Sequence, residues 1–528
     1  MLQALNQNRS TSDRTPDAEV SRTAIDERLR FRRQFVLTAS PVEAPADWQC
    51  LKVDEFCLYA HPDLEVTRVD DSTQSLVLLG CLYDSRDADK NNEDILKDVF
   101  ARAHTPQQVA IQIKQYAGAY ALLYKRGRDF VVFQDALALR EVYYCTADNQ
   151  VICASQPTLI AAFACPPLEP DRDPDFVEFL EHQFKGPWDS KWIGDATTYK
   201  DVKHLLPNHC LHITTRTVER YWPNGPIERL DLDEAVSRSC AFLQGALKAI
   251  ARRQPVMMAV TAGTDSRTLL AASRSLRDRI YYFVNNEDLG PSHPDIAVPT
   301  AMCGALGVTL HVHDVPKQVD GAFREVFLNN TSFATERLLP TVYNVYFRNH
   351  GEKLNVLGIG EIGRTRFGPV PRKLTSYLLA YKLGYTGGRW VMKECQRILE
   401  ELVPAGRQSG VNPLTLLYWE HMMGNWGVVG NSESDIAIEE VNPFNSHLLY
   451  ETLLGVDTRY TSYKNNILFR EMIRRMWPDV LKWPINPPHT RRDKIMSFMR
   501  RVHVFGFLKN LKYRMNYAQY RWSARRSA

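Results

Sequence analysis

The stretch Pro255–Leu270, PVMMAVTAGTDSRTLL, constrains this chain more than any other. Its short apolar run, Val256–Val260, suits a strand covered on both faces. Thr261, Ala262, Gly263 and Thr264 then form a turn, and a helix is expected from about Ser266. The first N–H groups of a helix have no partner within it, and its dipole favours negative charge there. Small residues let an anion approach that backbone. The stretch therefore reads as a cradle for phosphate or pyrophosphate, the plainer alternative being an ordinary strand-to-helix turn with a Thr/Asp/Ser cap. Neither the GKS/GKT of a Walker loop nor the G-x-G-x-x-G of a dinucleotide site is present.

At 528 residues the chain is long enough for two domains. Its apolar share of 44% and charged share of 24% are those of a soluble globular protein. The net charge of +4 is uneven. Eleven Lys/Arg against the single acid Asp493 lie between Arg491 and Ala528, so that tail carries +10 and the rest −6. Ten scattered cysteines show neither a C-x-x-C pair nor a zinc spacing, which argues against a metal centre or a disulfide framework and for reduced thiols in a cytoplasm. No secretory signal opens the chain, and no apolar run approaches the ~18 residues of a membrane span.

Residues 1–34 are polar and read as a mobile tail, with a helix across Glu19–Arg33. From Gln34 to about Trp222 strands dominate: Phe35–Thr38, Phe56–Ala60, Ser75–Leu82, Ala119–Tyr124, Phe130–Gln134, Val142–Cys145 and Val151–Ala154. Asn92–Arg102 and Pro106–Gln115 have helical spacing, and the set predicts a layered antiparallel α+β domain. From Asp231 to about Pro487 helices alternate with short apolar strands. Asp231–Arg252 is a long helix, Arg279–Asn285, Val308–Val312 and Leu354–Ile359 are further strands, and Ala297–Leu306 is a helix. That alternation predicts a doubly wound parallel sheet, whose ligands sit beyond the carboxyl ends of strands. Thr261–Ser266, Asn285–Asp288 and Gly360–Arg364 all fall at such ends.

Several phrases carry a resemblance. Thr261-Ala262-Gly263-Thr264-Asp265-Ser266 is similar to the pyrophosphate loop S-G-G-x-D-S, with Thr for the first Ser and Ala for the first Gly. Gly80-Cys81-Leu82-Tyr83, Tyr116–Tyr120, Asp135–Tyr144 (DALALREVYY, with Ala138 at a Gly position), Ala154-Ser155-Gln156, and Thr197–Pro207 followed by Tyr221-Trp222 resemble successive segments of a glutaminase domain. Together they resemble the asparagine synthetase family over roughly residues 35–490. The fold implied is an N-terminal α+β Ntn-hydrolase-like sandwich (35–225), then an α/β doubly wound parallel-sheet domain of the adenine nucleotide alpha hydrolase type (231–487). A tail (1–34) and a basic C-terminal segment (488–528) flank them.

Departures from the family pattern shape the expected chemistry. The family's glutaminase uses a Cys as first residue of the mature chain, with its free α-amino group as base. This chain opens Met1-Leu2, and Cys50 and Cys57 lie well inside, so glutamine hydrolysis is not expected. In that respect the chain is akin to β-lactam synthetases and lasso-peptide cyclases. Val356–Arg364, VLGIGEIGR, resembles G-x-G-x-D-E, but Ile362 and Gly363 stand where Asp and Glu are expected, leaving Glu361 as its one carboxylate. Glu439-x-x-x-Pro443-Phe444 resembles E-x-R-x-P-[FL]-[LI]-D, with Val441 for Arg and Ser446 for Asp. After Ile467–Pro478 the family has R-x-K, where Pro484 and Asn486 stand here; Lys482 and Lys494 are candidate substitutes.

The resemblance implies an ATP- and Mg²⁺-dependent ligase that adenylates a small-molecule or peptide carboxylate and passes it to ammonia or an amine. Asp265, Ser266, Glu361 and Lys494 would be catalytic, with Asp265 and Glu361 on the metal. Thr261, Ala262, Gly263, Thr264, Asp265, Ser266, Phe283, Val284, Gly360 and Arg364 would hold the nucleotide, the backbone of Phe283 and Val284 meeting the adenine. Glu420 and Glu439 are secondary candidates, against the alternative of solvated helix carboxylates. Asp295, ahead of Ala297, loosely matches an acidic helix start. The alternative is a degenerate nucleotide-binding or scaffold protein without turnover. A homodimer is open and nucleic acid is not expected. The basic tail, with Phe498, Val502, Phe505, Leu508, Tyr513, Tyr517, Tyr520 and Trp522, suits an anionic surface or, preferably, the chain's own acidic body.

Overall fold

The computed structural model describes residues 28–147, 151–164, 167–183, 192–385, 388–462, 466–490, 495, 511 and 513–518. Lys494, Cys165, most of the helix expected over Glu19–Arg33 and most of the basic tail lie outside them.

Two six-stranded antiparallel sheets form the first half. One has the order β10 (Val202–His204), β8 (Tyr143–Cys145), β9 (Ile152–Ala154), β1 (Phe35–Thr38), β3 (Phe56–Ala60), β2 (Gln49–Val53). The other runs β12 (Thr217–Arg220), β11 (His209–His212), β7 (Asp129–Gln134), β6 (Ala117–Arg126), β5 (Gln74–Tyr83), β4 (Val66–Asp70). Side chains alternate across a strand, so β1 sends Phe35 and Leu37 into the layer between the sheets, with Val77, Leu123 and Val132. It sends Val36 outward against Leu159 and Ile160 of helix Pro157–Phe163. Helices Asn92–Arg102 and Pro106–Ile113 cover the outer face of the second sheet. The result is a four-layer helix–sheet–sheet–helix sandwich. Strands buried on both faces show no alternation, which is why β1, β3 and β5 read as apolar runs.

A five-stranded sheet follows, in the order β15 (Leu310–Asp314), β14 (Ile280–Asn286), β13 (Val256–Ala259), β16 (Leu354–Val356), β17 (Glu439–Val441), every pair parallel. Val256, Met258 and Tyr282 face helix Leu232–Arg253 and the helix after β13; Met257 and Phe283 face Phe323, Phe327 and Val342. Both faces are thus covered. β17 was not expected from sequence: it is three residues long and holds two carboxylates, and only its ladder with β16 makes it a strand.

Residues 28–34 belong to the folded body, not to a mobile tail. The Asn330 side chain accepts from Phe31 N (2.7 Å) and donates to the Leu29 carbonyl (2.7 Å), while Arg33 donates to the Asp435 carbonyl at 2.6 Å. At the other end, the Tyr513 and Tyr517 rings pack at a tilt against Tyr377, and Tyr513 also meets Tyr381, so this part of the basic tail lies on the chain's own helix Ser376–Leu383. Among the described residues no helix is long and apolar enough to cross a membrane, and nine cysteines are free thiols.

The β16–β17 register sets Glu440 opposite Asn355, whose Nδ2 donates to Glu440 Oε1 at 2.7 Å. Burial first, then the nearby Asp435 and Glu433, raise the Glu440 carboxyl to about 8. An unfolded Glu ionises near ~4.3, so the fold is most stable below that pH and loses stability as pH rises toward the raised value. Glu440→Gln is therefore expected to stabilise the chain by ~3 kcal/mol at about pH 8 and by much less at about pH 5. Thermal unfolding at the two pH values measures this. An equal gain at both would mean that Glu440 titrates as it does in the unfolded chain.

Candidate phosphate-binding site

The carboxyl edge of the parallel sheet gathers the loops after β13, β14, β16 and β17. After β13 the helix begins at Thr264, two residues earlier than expected, and runs to Ala272. Its N-cap is Gly263, which brings no side-chain cap. Elsewhere Asn91, Thr105 and Asp231 each cap a helix with a side chain. The first turn after Gly263 therefore depends on solvent or an anion for its N–H groups.

The loop is shaped by its own hydroxyls. Thr261 Oγ1 and Ser266 Oγ lie 3.0 Å apart, and Gly263 N donates to Thr261 Oγ1 at 3.0 Å. Ala262 N donates to Asp295 Oδ1 at 3.0 Å, so the acidic start of helix Pro294–Leu306 steadies the loop from β14's side.

Asp265 sits at the centre. Its Oδ2 accepts from Arg364 Nη2 at 2.5 Å, while Oδ1 is buried with no hydrogen-bond partner. Burial foremost, with Glu361 adding, raises its carboxyl to about 7 against the opposing pull of Arg364 and Arg366. Gly360 is small because Asp265 is there: a Cβ would stand 2.9 Å from Oδ1 and 3.0 Å from Phe469 Cε1. The Asn442 side chain, just past β17, exchanges hydrogen bonds with both N–H and C=O of Ile359 and fixes that loop (3.3 and 3.1 Å).

Glu361 is drawn into the same ion-pair group. Arg364 Nη2 is 3.5 Å and Arg366 Nη1 3.4 Å from its Oε1, and Tyr418 OH donates to its Oε2. Both Glu361 oxygens already have protein partners, whereas the buried Asp265 Oδ1 has none. Among the described residues no group of three or more His, Cys, Asp or Glu is placed to hold a metal. Of the two acids, only Asp265 has an oxygen without a protein partner, and it is the group that could hold Mg²⁺ brought in with phosphate.

The remaining candidates lie as follows. Phe283 and Val284 are buried, and the Phe283 carbonyl already accepts from Val260 N at 2.9 Å. Lys482 pairs with Asp479 at 2.7 Å. Glu420 is fully buried, contrary to the solvated alternative: it accepts from Arg220 (2.6 and 2.8 Å) and from Asn208 Nδ2 (2.7 Å). Glu439 is at the amino end of β17, away from the loops, 3.6 Å from Arg140 Nη2. Asn442, Tyr418, Arg267 and Asn486 were not singled out as site residues by sequence reasoning. Only Asn486 carried a signal, standing where a Lys was expected.

Fold and site together define an antiparallel two-sheet sandwich joined to a parallel-sheet unit whose carboxyl edge carries a helix start without a side-chain cap. No protein-family model and no curated protein matches the chain. Among solved structures it is similar to a glutamine phosphoribosylpyrophosphate (PRPP) amidotransferase from B. subtilis complexed with ADP and GMP, with 11% identity over 58% of this chain and 66% of that one and a TM-score of 0.22. It is also similar to a structure of the allosteric regulatory enzyme of purine biosynthesis, with 13% identity over 57% and 65% and a TM-score of 0.23. The chain thus spans just under two thirds of the length of these structures. Likeness at this level assigns this chain no activity, substrate or cofactor.

Proposed function

We propose that this protein is an asparagine synthetase-like, ATP-dependent amide-forming ligase of the AMP-forming kind. The observation that carries the reading is the side-chain-uncapped helix start at Gly263, ringed by Thr261 Oγ1 and Ser266 Oγ and flanked by the unpartnered Asp265 Oδ1 and the Arg364 guanidinium. A carboxylate attacks the α-phosphorus of ATP, the bond to the β-phosphate oxygen breaks, and acyl-AMP and pyrophosphate form. An amine or ammonia then displaces AMP to give the amide. The Thr261 and Ser266 hydroxyls and the first-turn N–H groups hold the leaving pyrophosphate. Arg364 takes up charge that develops there. Asp265 would hold Mg²⁺, which when bound neutralises the phosphates as they part. The carboxylate is a small molecule or a peptide end.

ATP–pyrophosphate exchange on the full chain with Mg²⁺ tests this, screening aspartate, other amino acids and pooled metabolites. Exchange that depends on one acid is the expected result. A second reading, a nucleotide-binding or scaffold protein without turnover, draws on Arg364, which bridges Asp265 and Glu361 where two carboxylates on one metal were expected. Absence of exchange with every acid, together with an ATP-induced rise in Tm, would favour that second reading.

A further inference from the structure

The loop after β16 places a guanidinium where a metal was expected. Glu361 opens a short 3-10 turn that Arg364 closes, its N–H donating to the Glu361 carbonyl at 3.0 Å, so one local turn brings the two side chains together. Asp265 arrives from a segment 99 residues earlier. A single nitrogen, Arg364 Nη2, meets both acids: Asp265 Oδ2 at 2.5 Å and Glu361 Oε1 at 3.5 Å. A divalent ion shared by these carboxylates would need the same place. Arg364 is well seated there, with its side chain 4% exposed and its Cζ 5.5 Å from the centre of the Phe469 ring.

Charge points the same way. Arg366 adds a second guanidinium, 3.4 Å from Glu361 Oε1. Two carboxylates and two guanidiniums sum to zero, so the group offers a free divalent ion no net attraction. A polyphosphate is different. Its oxygens accept from a guanidinium in pairs and compete with the acids for it. The loops involved already touch: a Cβ at Gly358, on the Arg364 loop, would stand 3.4 Å from Ser266 N. A phosphate held at Thr261–Ser266 would therefore lie beside Arg364, and a side-chain rotation would suffice to exchange one anion for the other.

We infer that Arg364 is a resident counter-cation that closes the Asp265–Glu361 pair to free divalent metal, so that metal enters only as its complex with a polyphosphate, which draws the guanidinium off. Arg364 thus determines the form in which the site accepts metal. The exclusion of free metal stands on the ion pairs alone, and the release rests on reading Thr261–Ser266 as a phosphate loop.

Mn²⁺, which like Mg²⁺ prefers oxygen ligands, is the probe. It is titrated into the full chain with and without ATP, and water-proton relaxation reports the ion bound to protein. Wild type is expected to bind Mn²⁺ at least ~10-fold more tightly with ATP than without it. Arg364→Gln removes the cation and is expected to raise ATP-free Mn²⁺ affinity at least ~10-fold. Adding Asp265→Asn should abolish that gain, which places the ion on the acid pair. Arg364→Lys keeps the charge and should exclude free Mn²⁺ as wild type does, a rescue that a merely structural role for Arg364 would not give. A gain under about twofold in an Arg364→Gln protein with the wild-type circular dichroism spectrum would overturn the inference. Should that variant not fold, wild type decides, and Mn²⁺ bound as tightly without ATP as with it overturns the inference. A wild type that binds no ATP, beside an intact Arg364→Gln gain, would remove the phosphate-loop reading and leave the exclusion of free metal standing.

Discussion

Replacing Arg140 by Met is expected to cost about 3–5 kcal/mol of stability, the range for removing one partner of a buried ion pair. Arg140 closes the turn after β7. Its Nη1 meets Asp435 Oδ2 at 2.9 Å and the Arg33 carbonyl at 3.1 Å, with the side chain 2% exposed. Burial already raises Asp435 to about 6, despite Arg140 and Arg33 nearby. Without Arg140 its carboxyl rises further, so the variant's extra deficit opens above about pH 6 and narrows below it, as Asp435 takes up a proton in both forms. Urea unfolding at about pH 8 and about pH 5 reads both effects. The double variant Arg140→Met/Asp435→Leu should recover part of the loss, because the Asp435 carboxylate is no longer left buried without Arg140. A cost under about 1 kcal/mol at about pH 8 would mean that the seam between sandwich and parallel sheet is wet and the pair screened.

Asp265→Asn carries the largest expected effect on activity. The substitution keeps the shape but removes the charge that faces Arg364 and the one open carboxylate oxygen in the cradle. ATP–pyrophosphate exchange is expected to fall at least ~100-fold, the scale for losing one preorganised electrostatic group. Arg364, 4% exposed, would still have Glu361 at 3.5 Å but lose its closest carboxylate, so a drop of a few degrees in Tm should accompany the loss. The two readouts separate causes: lost exchange with a retained circular dichroism spectrum identifies the site. Exchange that survives within about threefold would remove Asp265 from any role with metal or phosphate.

Legibility followed the apolar run rather than burial alone: β10 and β11 are largely buried but were not read, because Lys203, His204, His209 and His212 break their runs. Strands buried on both faces, such as β1, β3, β6 and β13, stood out as apolar runs. β4 and β12 did not, since none of their residues is buried, and the edge strand β2 buries only Val53. The phrase DALALREVYY was readable because its parts act together. Asp135 accepts from the N–H groups of Leu137, Leu139 and Arg140, bending the chain so that Ala138 takes φ +60° at the position where a Gly was expected. The Thr261–Ser266 loop and the Gly358–Arg364 loop were legible as strand ends, because parallel strands send such ends to one edge.

The sequence by itself determined where the chain alternates, where it turns, and which short polar loops end apolar strands, because period and turn chemistry are local. Only the tertiary structure decided which charges meet. It set Arg364 between Asp265 and Glu361, buried Glu420 against Arg220, and laid Asn486 on Ala262 through Arg267. Those contacts join residues far apart in the chain. Their energies depend on burial and distance, and neither is written in the spacing of residues along a strand or a helix.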